Sequence, residues 1–273
     1  MIIDGKAISA EVLARAKARA ANLPHPPKVV AIVANETAAT RSYLSIKASR
    51  AAHAGCVLTL VRVPETADTE TVRAAAADAR ADAVIIQLPL PASVNVQAAC
   101  DAIPEDKDAD VLGSAARAAF MRGDTDALLP PVVSAIAEIL ARAGIEVERK
   151  RTVVIGSGYL VGAPSAAWLA QNGAQVTTIN QKSGDLAGAL SGADIVISGA
   201  GSPHLVKPEM LKKGVVLIDA GTSESGGALA GDADPACASV ASVFTPVPGG
   251  VGPIAVAKLF ENATILAERK LSF

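Results

Sequence analysis

A chain of 273 residues is long enough for two ordinary domains, and its formal net charge of −2 excludes a general nucleic-acid or anionic-membrane surface. Apolar residues make up 51% and aromatics only 3%, the profile of strands alternating with alanine-rich helices. No apolar run approaches the roughly 18–20 residues that span a bilayer, and residues 1–12 lack the basic and apolar regions of a signal peptide, so a cytoplasmic location is expected. Cys56, Cys100 and Cys237 form no C-x-x-C pair, and His25, His53 and His204 show no ligand spacing. Buried free thiols and no metal site are the expectation.

Taken in order, residues 6–22 read as an amphipathic helix ended by Pro24, Pro26 and Pro27. Residues 28–34 read as a buried strand, 37–54 as a helix closed by Gly55, 56–63 as a strand, 69–80 as a helix and 83–87 as a strand. This β-α-β-α-β alternation predicts a parallel sheet with helices on both faces and ligand groups at the C-terminal strand ends. Residues 90–113 are less regular and carry the charged run Pro104-Glu105-Asp106-Lys107-Asp108-Ala109-Asp110, which reads as a solvated loop. A helix over 130–143 leads into a second alternation. Its strands are expected near 152–155, 175–179, 194–198 and 215–219, and its helices near 161–172 and 185–191. The segment 252–270 reads as one long helix that packs back on the first domain. The fold class is therefore α/β with two domains: residues 1–125 completed by 252–273, and a Rossmann-type dinucleotide-binding domain over 126–251.

Five stretches carry candidate chemistry. The run Thr152 to Ile155 followed by Gly156, Ser157, Gly158 and Gly162 reads as strand, glycine turn and helix. Gly156 permits the tight turn, and Gly158 lets backbone approach a pyrophosphate at the helix N-terminus. The spacing G-x-G-x-x-x-G is one residue longer than the common fingerprint, and an ordinary turn between strand and helix would look similar. Tyr43 and Lys47 lie four apart on one helix face, either as surface decoration or as an acid/base lysine with a neighbouring hydroxyl. Gln87 ends an otherwise apolar strand, where a polar side chain needs hydrogen bonds. Asp110 is one of several acids, and spacing does not single it out. Pro246-Val247-Pro248-Gly249-Gly250-Val251-Gly252-Pro253 suits either a rigid ligand-facing turn or a stiff entry to the last helix.

Together these stretches resemble the bifunctional methylenetetrahydrofolate dehydrogenase/methenyltetrahydrofolate cyclohydrolase family over nearly the whole chain. Tyr43 to Lys47 is similar to its Y-x-x-x-K, Gln87 to Pro91 is its Q-L-P-L-P, and Pro104 to Asp110 resembles P-x-K-D-V-D. Val161-Gly162-Ala163-Pro164 is similar to V-G-x-P, and Pro246 to Pro253 matches P-V-P-G-G-V-G-P. The resemblance implies oxidation of 5,10-methylenetetrahydrofolate to the methenyl form by a nicotinamide cofactor, then hydrolysis to 10-formyltetrahydrofolate. It implies Lys47 as the acid/base group, Tyr43 stacking on the substrate, Gln87 holding Lys47 and Asp110 bonding the pterin ring. Leu88, Pro248, Gly249 and Gly250 would also meet the substrate. Gly156, Ser157, Gly158, Val161, Gly162, Pro164, Gln181, Lys182, Ser183, Gly199, Ala200 and Gly201 would hold the cofactor. A homodimer is also implied.

The chain departs from the family at three places. Val111-Leu112 replaces Gly-Phe or Gly-Leu after Asp110, and Pro130-Pro131-Val132-Val133 stands where P-C-T-P is usual. Ser157 and Gly158 replace a basic residue and a serine. With no carboxylate in Asn180 to Ser183, Lys182 is available for a 2′-phosphate, which favours NADP, with NAD the alternative. A single-activity or binding-only member of the same fold is the competing reading.

Overall fold

The computed structural model describes residues 1–35, 37–77, 79–225 and 228–271. Two compact units divide the chain: Met1–Ser9 with Val132–Ala255, and Ala10–Pro131 with Val256–Phe273. Each is built around its own parallel sheet.

In the unit holding residues 10–131, β1 (Lys28–Val33), β2 (Val57–Arg62) and β3 (Ala83–Ile86) form a parallel sheet in the order β2-β1-β3. The apolar β-branched runs KVVAIV and AVII make β1 and β3 its buried strands. The crossovers are α2 (Ala38–His53) and α3 (Thr69–Ala77). α2 starts where the Thr37 hydroxyl accepts the Thr40 amide at 3.1 Å. Ile32, Val72, Val84, Ile86, Cys100 and Leu112 share one core cluster. Burying each large aliphatic side chain contributes about 1.5–3 kcal/mol. Two helices absent from the sequence reading, α4 (Val96–Cys100) and α5 (Ser114–Arg122), complete this unit.

The C-terminal helix α9 (Val251–Arg269) contributes its residues from Val256 onward to the same unit, as expected of a helix that packs back on the first domain. Leu259, Phe260, Ala263 and Leu266 are buried. Glu261 accepts from Arg15 of α1 (Gly5–Ala20) at 2.7 Å and from Lys258 at 2.8 Å, and Arg19 pairs with Glu268.

In the other unit the parallel sheet contains β4 (Arg151–Ile155), β5 (Gln175–Ile179), β6 (Ile195–Ser198), β7 (Val216–Asp219) and β10 (Val243–Phe244), in the order β10-β7-β6-β4-β5. A small antiparallel hairpin, β8 (Ser223–Ser225) with β9 (Ala228–Ala230), is appended. From β4 onward this is the 2-1-3-4-5 doubly wound order, whose direction reverses between β4 and β6. Ligands in such sheets bind beyond the C-terminal strand ends at that switch point. The helix α6 (Pro131–Arg142) leads into β4, α7 (Gly162–Gln171) links β4 to β5, and α8 (Leu186–Ser191) precedes β6. Met1 to Gly5 belong here because Ile3 donates to Phe244 and Gly5 to Gly249, both at 2.9 Å, whereas the sequence reading placed the N-terminus with the first sheet.

All three cysteines are free and buried. Among the described residues no helix is long and apolar enough to cross a membrane, and no cluster of three or more His, Cys, Asp or Glu is placed to hold a metal.

Candidate functional site

Tyr43 and Lys47 project from the same face of α2, four residues apart. Gln87, the residue after β3, is 8% exposed, and its backbone amide still bonds Ile32 of β1. Its side chain resolves the cost of burial: Nε2 donates to the Leu88 carbonyl at 2.6 Å, which turns Oε1 to accept from Lys47 Nζ at 2.9 Å. Burial pulls the Lys47 ammonium below its ordinary value, with the Asp110 charge opposing the shift. Asp110 is pushed up, again by burial first, with Lys47 opposing. A lysine drawn toward neutrality beside a carboxyl drawn toward protonation is a pair able to exchange protons with a bound molecule. Tyr43 is 46% exposed, a ring free to meet a flat partner.

The charged run is a correction to the solvated loop that composition suggested. Glu105 and Asp106 are exposed, but Asp108 is 1% exposed and Ala109 is fully buried. The Asp108 carboxylate accepts the Gly113 amide at 2.7 Å and the Leu112 amide at 3.3 Å, bending the chain just past Asp110. Burial nevertheless raises this carboxyl to about 6. On the other side Asn262 of α9 donates to the carbonyls of Ala109 and Leu129, at 2.9 and 3.0 Å. Asp108 and Asn262 were not singled out in the sequence. Asn262 had a signal, a lone amide between buried Phe260 and Ala263.

In the five-stranded unit the glycine motif sits at the switch point. Gly156 adopts φ +94°, and a Cβ there would lie 2.6 Å from the Gly199 carbonyl at the end of β6. Its amide donates to Ile179, the last residue of β5, at 2.7 Å. A Cβ on Gly162 would strike the Gly156 carbonyl, and Pro164 is buried in the first turn of α7. No side chain caps α7, and the surroundings of Gly158 are open. The Ala163 amide donates to the Gly158 carbonyl at 3.1 Å and Pro164 has no amide hydrogen, so what the turn offers a pyrophosphate is close approach to open glycine backbone at the start of a helix. Gln181, Lys182 and Ser183 are exposed in the turn after β5, where Asn180 Oδ1 accepts the Lys182 amide at 2.9 Å. Pro248, Gly249 and Gly250 belong to this unit, with Gly250 donating to the Pro246 carbonyl at 2.7 Å.

A doubly wound sheet with a glycine turn at its switch point, in a chain that also carries a half-buried lysine bonded to a buried glutamine, defines a two-domain α/β nucleotide-dependent enzyme. Residues 130–271 match the tetrahydrofolate dehydrogenase/cyclohydrolase NAD(P)-binding domain and residues 3–110 the catalytic domain of the same enzymes. The bifunctional protein FolD of Acidiphilium cryptum is 36% identical over 272 residues, covering 97% of each chain. Among solved structures, the bifunctional FolD dehydrogenase/cyclohydrolase from Campylobacter jejuni superposes with a TM-score of 0.95 at 28% identity, covering 99% of both chains. The Trypanosoma brucei enzyme, complexed with NADP and an inhibitor, gives 0.94 at 30% identity over 100% of this chain and 99% of that one. This chain belongs to the tetrahydrofolate dehydrogenase/cyclohydrolase family, and its reactions are those of a dehydrogenase and a cyclohydrolase in one-carbon folate metabolism.

Proposed function

We propose that Lys47 is the central acid/base residue, handling the protons of the hydrolysis, with Gln87 its holder, Asp110 the anchor for the pterin ring, Tyr43 a stacking surface and NADP the preferred cofactor. The observation that carries this reading is the 2.9 Å bond from Lys47 Nζ to Gln87, made by an amine that burial has pulled toward neutrality. The methenyl carbon is already electrophilic, so the site needs to position water and manage a proton. Neutral Lys47 takes a proton from the attacking water as the carbon–oxygen bond forms. It then returns the proton to the ring nitrogen as the carbon–nitrogen bond breaks, and the remaining hydroxyl proton is lost to solvent as the carbonyl forms, leaving the 10-formyl product. Asp110 favours the protonated amine in between.

When bound, the nicotinamide supplies the hydride acceptor for the dehydrogenase reaction. Gly156, Ser157, Gly158, Val161, Gly162 and Pro164 would cradle its pyrophosphate, with Gly199, Ala200 and Gly201 beside them. Two features favour NADP. The turn Asn180 to Ser183 offers exposed Lys182 and no carboxylate, and the nearby Asp185 is occupied in capping α8, accepting the Gly188 amide at 2.9 Å. The relative from Trypanosoma brucei was solved with NADP. Leu88, Pro248, Gly249 and Gly250 as substrate contacts, a homodimer and a cytoplasmic location complete the proposal. The buried free thiols suit a reducing compartment.

The test follows absorbance of the purified protein with 5,10-methylenetetrahydrofolate, run separately with NADP and NAD. Reduced cofactor without accumulated methenyl product is expected, faster with NADP. Faster reduction of NAD would overturn the cofactor preference. Lys47→Met should lower methenyl hydrolysis by about 10²–10⁴-fold while leaving the fold intact. Hydrolysis at the parent rate would remove Lys47 from the mechanism.

A further inference from the structure

Asp232 is completely buried and belongs to none of the stretches that carry the resemblance. Its Oδ2 accepts from the Ser198 hydroxyl at 2.7 Å and from the Ala200 amide at 2.6 Å, and its Oδ1 accepts from the Ser202 amide at 2.8 Å. One carboxylate therefore holds the last residue of β6 and two amides of the segment that leaves it. That segment has run out of the sheet, so no ladder partner is available to fix it.

Its position matters to its neighbours. The Gly199 carbonyl lies against Gly156, and a Cβ on Gly199 would strike Val161, the residue before α7. A second buried carboxylate braces the first. Asp219 accepts the Ala233 amide at 2.8 Å and the Gly221 amide at 2.9 Å, and the Asp232 carboxylate occupies the space that a Cβ on Gly221 would need. The two acids thus fix the backbone that follows both β6 and β7, at the strand ends where a dinucleotide lies.

We propose that Asp232 is a positioning residue for the dinucleotide: its carboxylate sets Ala200 and Ser202 so that residues 199–202 and the glycine turn at 156–162 hold the shape the cofactor binds. The proposal rests on the NAD(P) reading of this unit. Bonds from two amides and a hydroxyl to one buried carboxylate are charge-assisted, and replacing an oxygen by an amide nitrogen sets donor against donor at Ala200 or Ser202.

Asp232→Asn should raise the Kd for NADP, measured by calorimetry, by about tenfold or more. It should leave the KM for 5,10-methylenetetrahydrofolate and the rate of methenyl hydrolysis within about twofold of the parent, since the loss is one hydrogen-bond pattern in the cofactor unit. A folded variant with unchanged NADP affinity would overturn the proposal. So would a fall in cofactor affinity, hydrolysis and folded fraction in the same proportion, which would make Asp232 a general structural residue. Amide exchange in the unsubstituted, cofactor-free protein supplies a readout that needs no variant. The Ala200 and Ser202 amides should exchange at least about a hundredfold more slowly than in an unstructured chain, and exchange at the unstructured rate would sink the idea. Should the parent bind neither NADP nor NAD, the cofactor reading itself falls, while exchange still reports whether the carboxylate holds the segment.

Discussion

Val111 has a φ of 56°, in the left-handed region where a β-branched side chain is a genuine outlier, and it is fully buried one residue beyond Asp110. Strain of this kind costs roughly 1–3 kcal/mol and persists only where surrounding contacts over-determine it. Here the Asp108 carboxylate supplies them, taking the amides of Leu112 and Gly113 and leaving the intervening chain no relaxed alternative. The family resemblance places glycine at this position, the residue that adopts such a backbone without penalty. Val111→Gly and Val111→Ala both delete the buried isopropyl group, but only alanine keeps the left-handed penalty. Glycine should therefore be the more stable of the two by about 1 kcal/mol, the reverse of the order at an ordinary buried position. Urea unfolding of the two variants side by side decides the matter. Alanine the more stable would mean that the backbone at 111 is not strained.

Among the elements, α9 supports the lysine site from far along the sequence. Asn262 spends both amide hydrogens on the carbonyls of Ala109 and Leu129, so a helix near the C-terminus fixes the strand of chain that presents Asp110. Asn262→Leu keeps the apolar packing but strands a buried acceptor at Ala109 and a part-buried one at Leu129, a loss of about 1–3 kcal/mol in urea unfolding of this unit. The KM for the folate substrate should rise with it, because Ala109 precedes Asp110. Stability within about 0.5 kcal/mol of the parent would show that the two carbonyls find other donors. The longer elements were legible because apolar runs and caps mark them: KVVAIV and AVII for β1 and β3, and Thr37 before α2. α4 spans five residues and β10 two, too short for periodicity to register. α5 had a readable stop in Gly123, a C-cap at φ 77°, but an alanine-rich body with little pattern. Lys47 and Gln87 were legible as motif residues. Asp108 was not, because composition cannot say which acid of a charged run is buried, and Asp232 was not, because its partners lie 30 to 34 residues upstream.

Over the whole molecule, burial pushes carboxyls up in both units: in addition to Asp110 at the lysine site, Asp108 in one unit and Asp219 in the other are both 1% exposed and both pushed up to about 6 from an ordinary 3.8. Backbone amides oppose the shift at both sites without cancelling it. Between those two values the folded protein holds a proton that the unfolded chain has released. Stability therefore falls as pH rises through the window, and the full penalty is present above it. The total is about 3 kcal/mol per carboxyl, of which about 1 kcal/mol is recovered on going from pH ~7 to pH ~5. Groups shifted the other way act lower on the scale. Against the cost of burial, Arg15 and Lys258 hold Glu261 below its ordinary value, and its contribution is lost only as pH falls below about 4.5. Asp194 and Asp234 are held low by Lys212 and by the Ala236 amide, respectively, but they are solvated enough to count for little. The protein should accordingly be more stable at pH ~5 than at pH ~7, measured by urea unfolding at the two values. Asp108→Asn should flatten the profile of the transition that reports the three-stranded unit, and Asp219→Asn that of the five-stranded one. A parent whose stability is level or rising from pH ~5 to pH ~7 would show that neither carboxyl carries its proton into that range, and that the amides facing them outweigh burial after all.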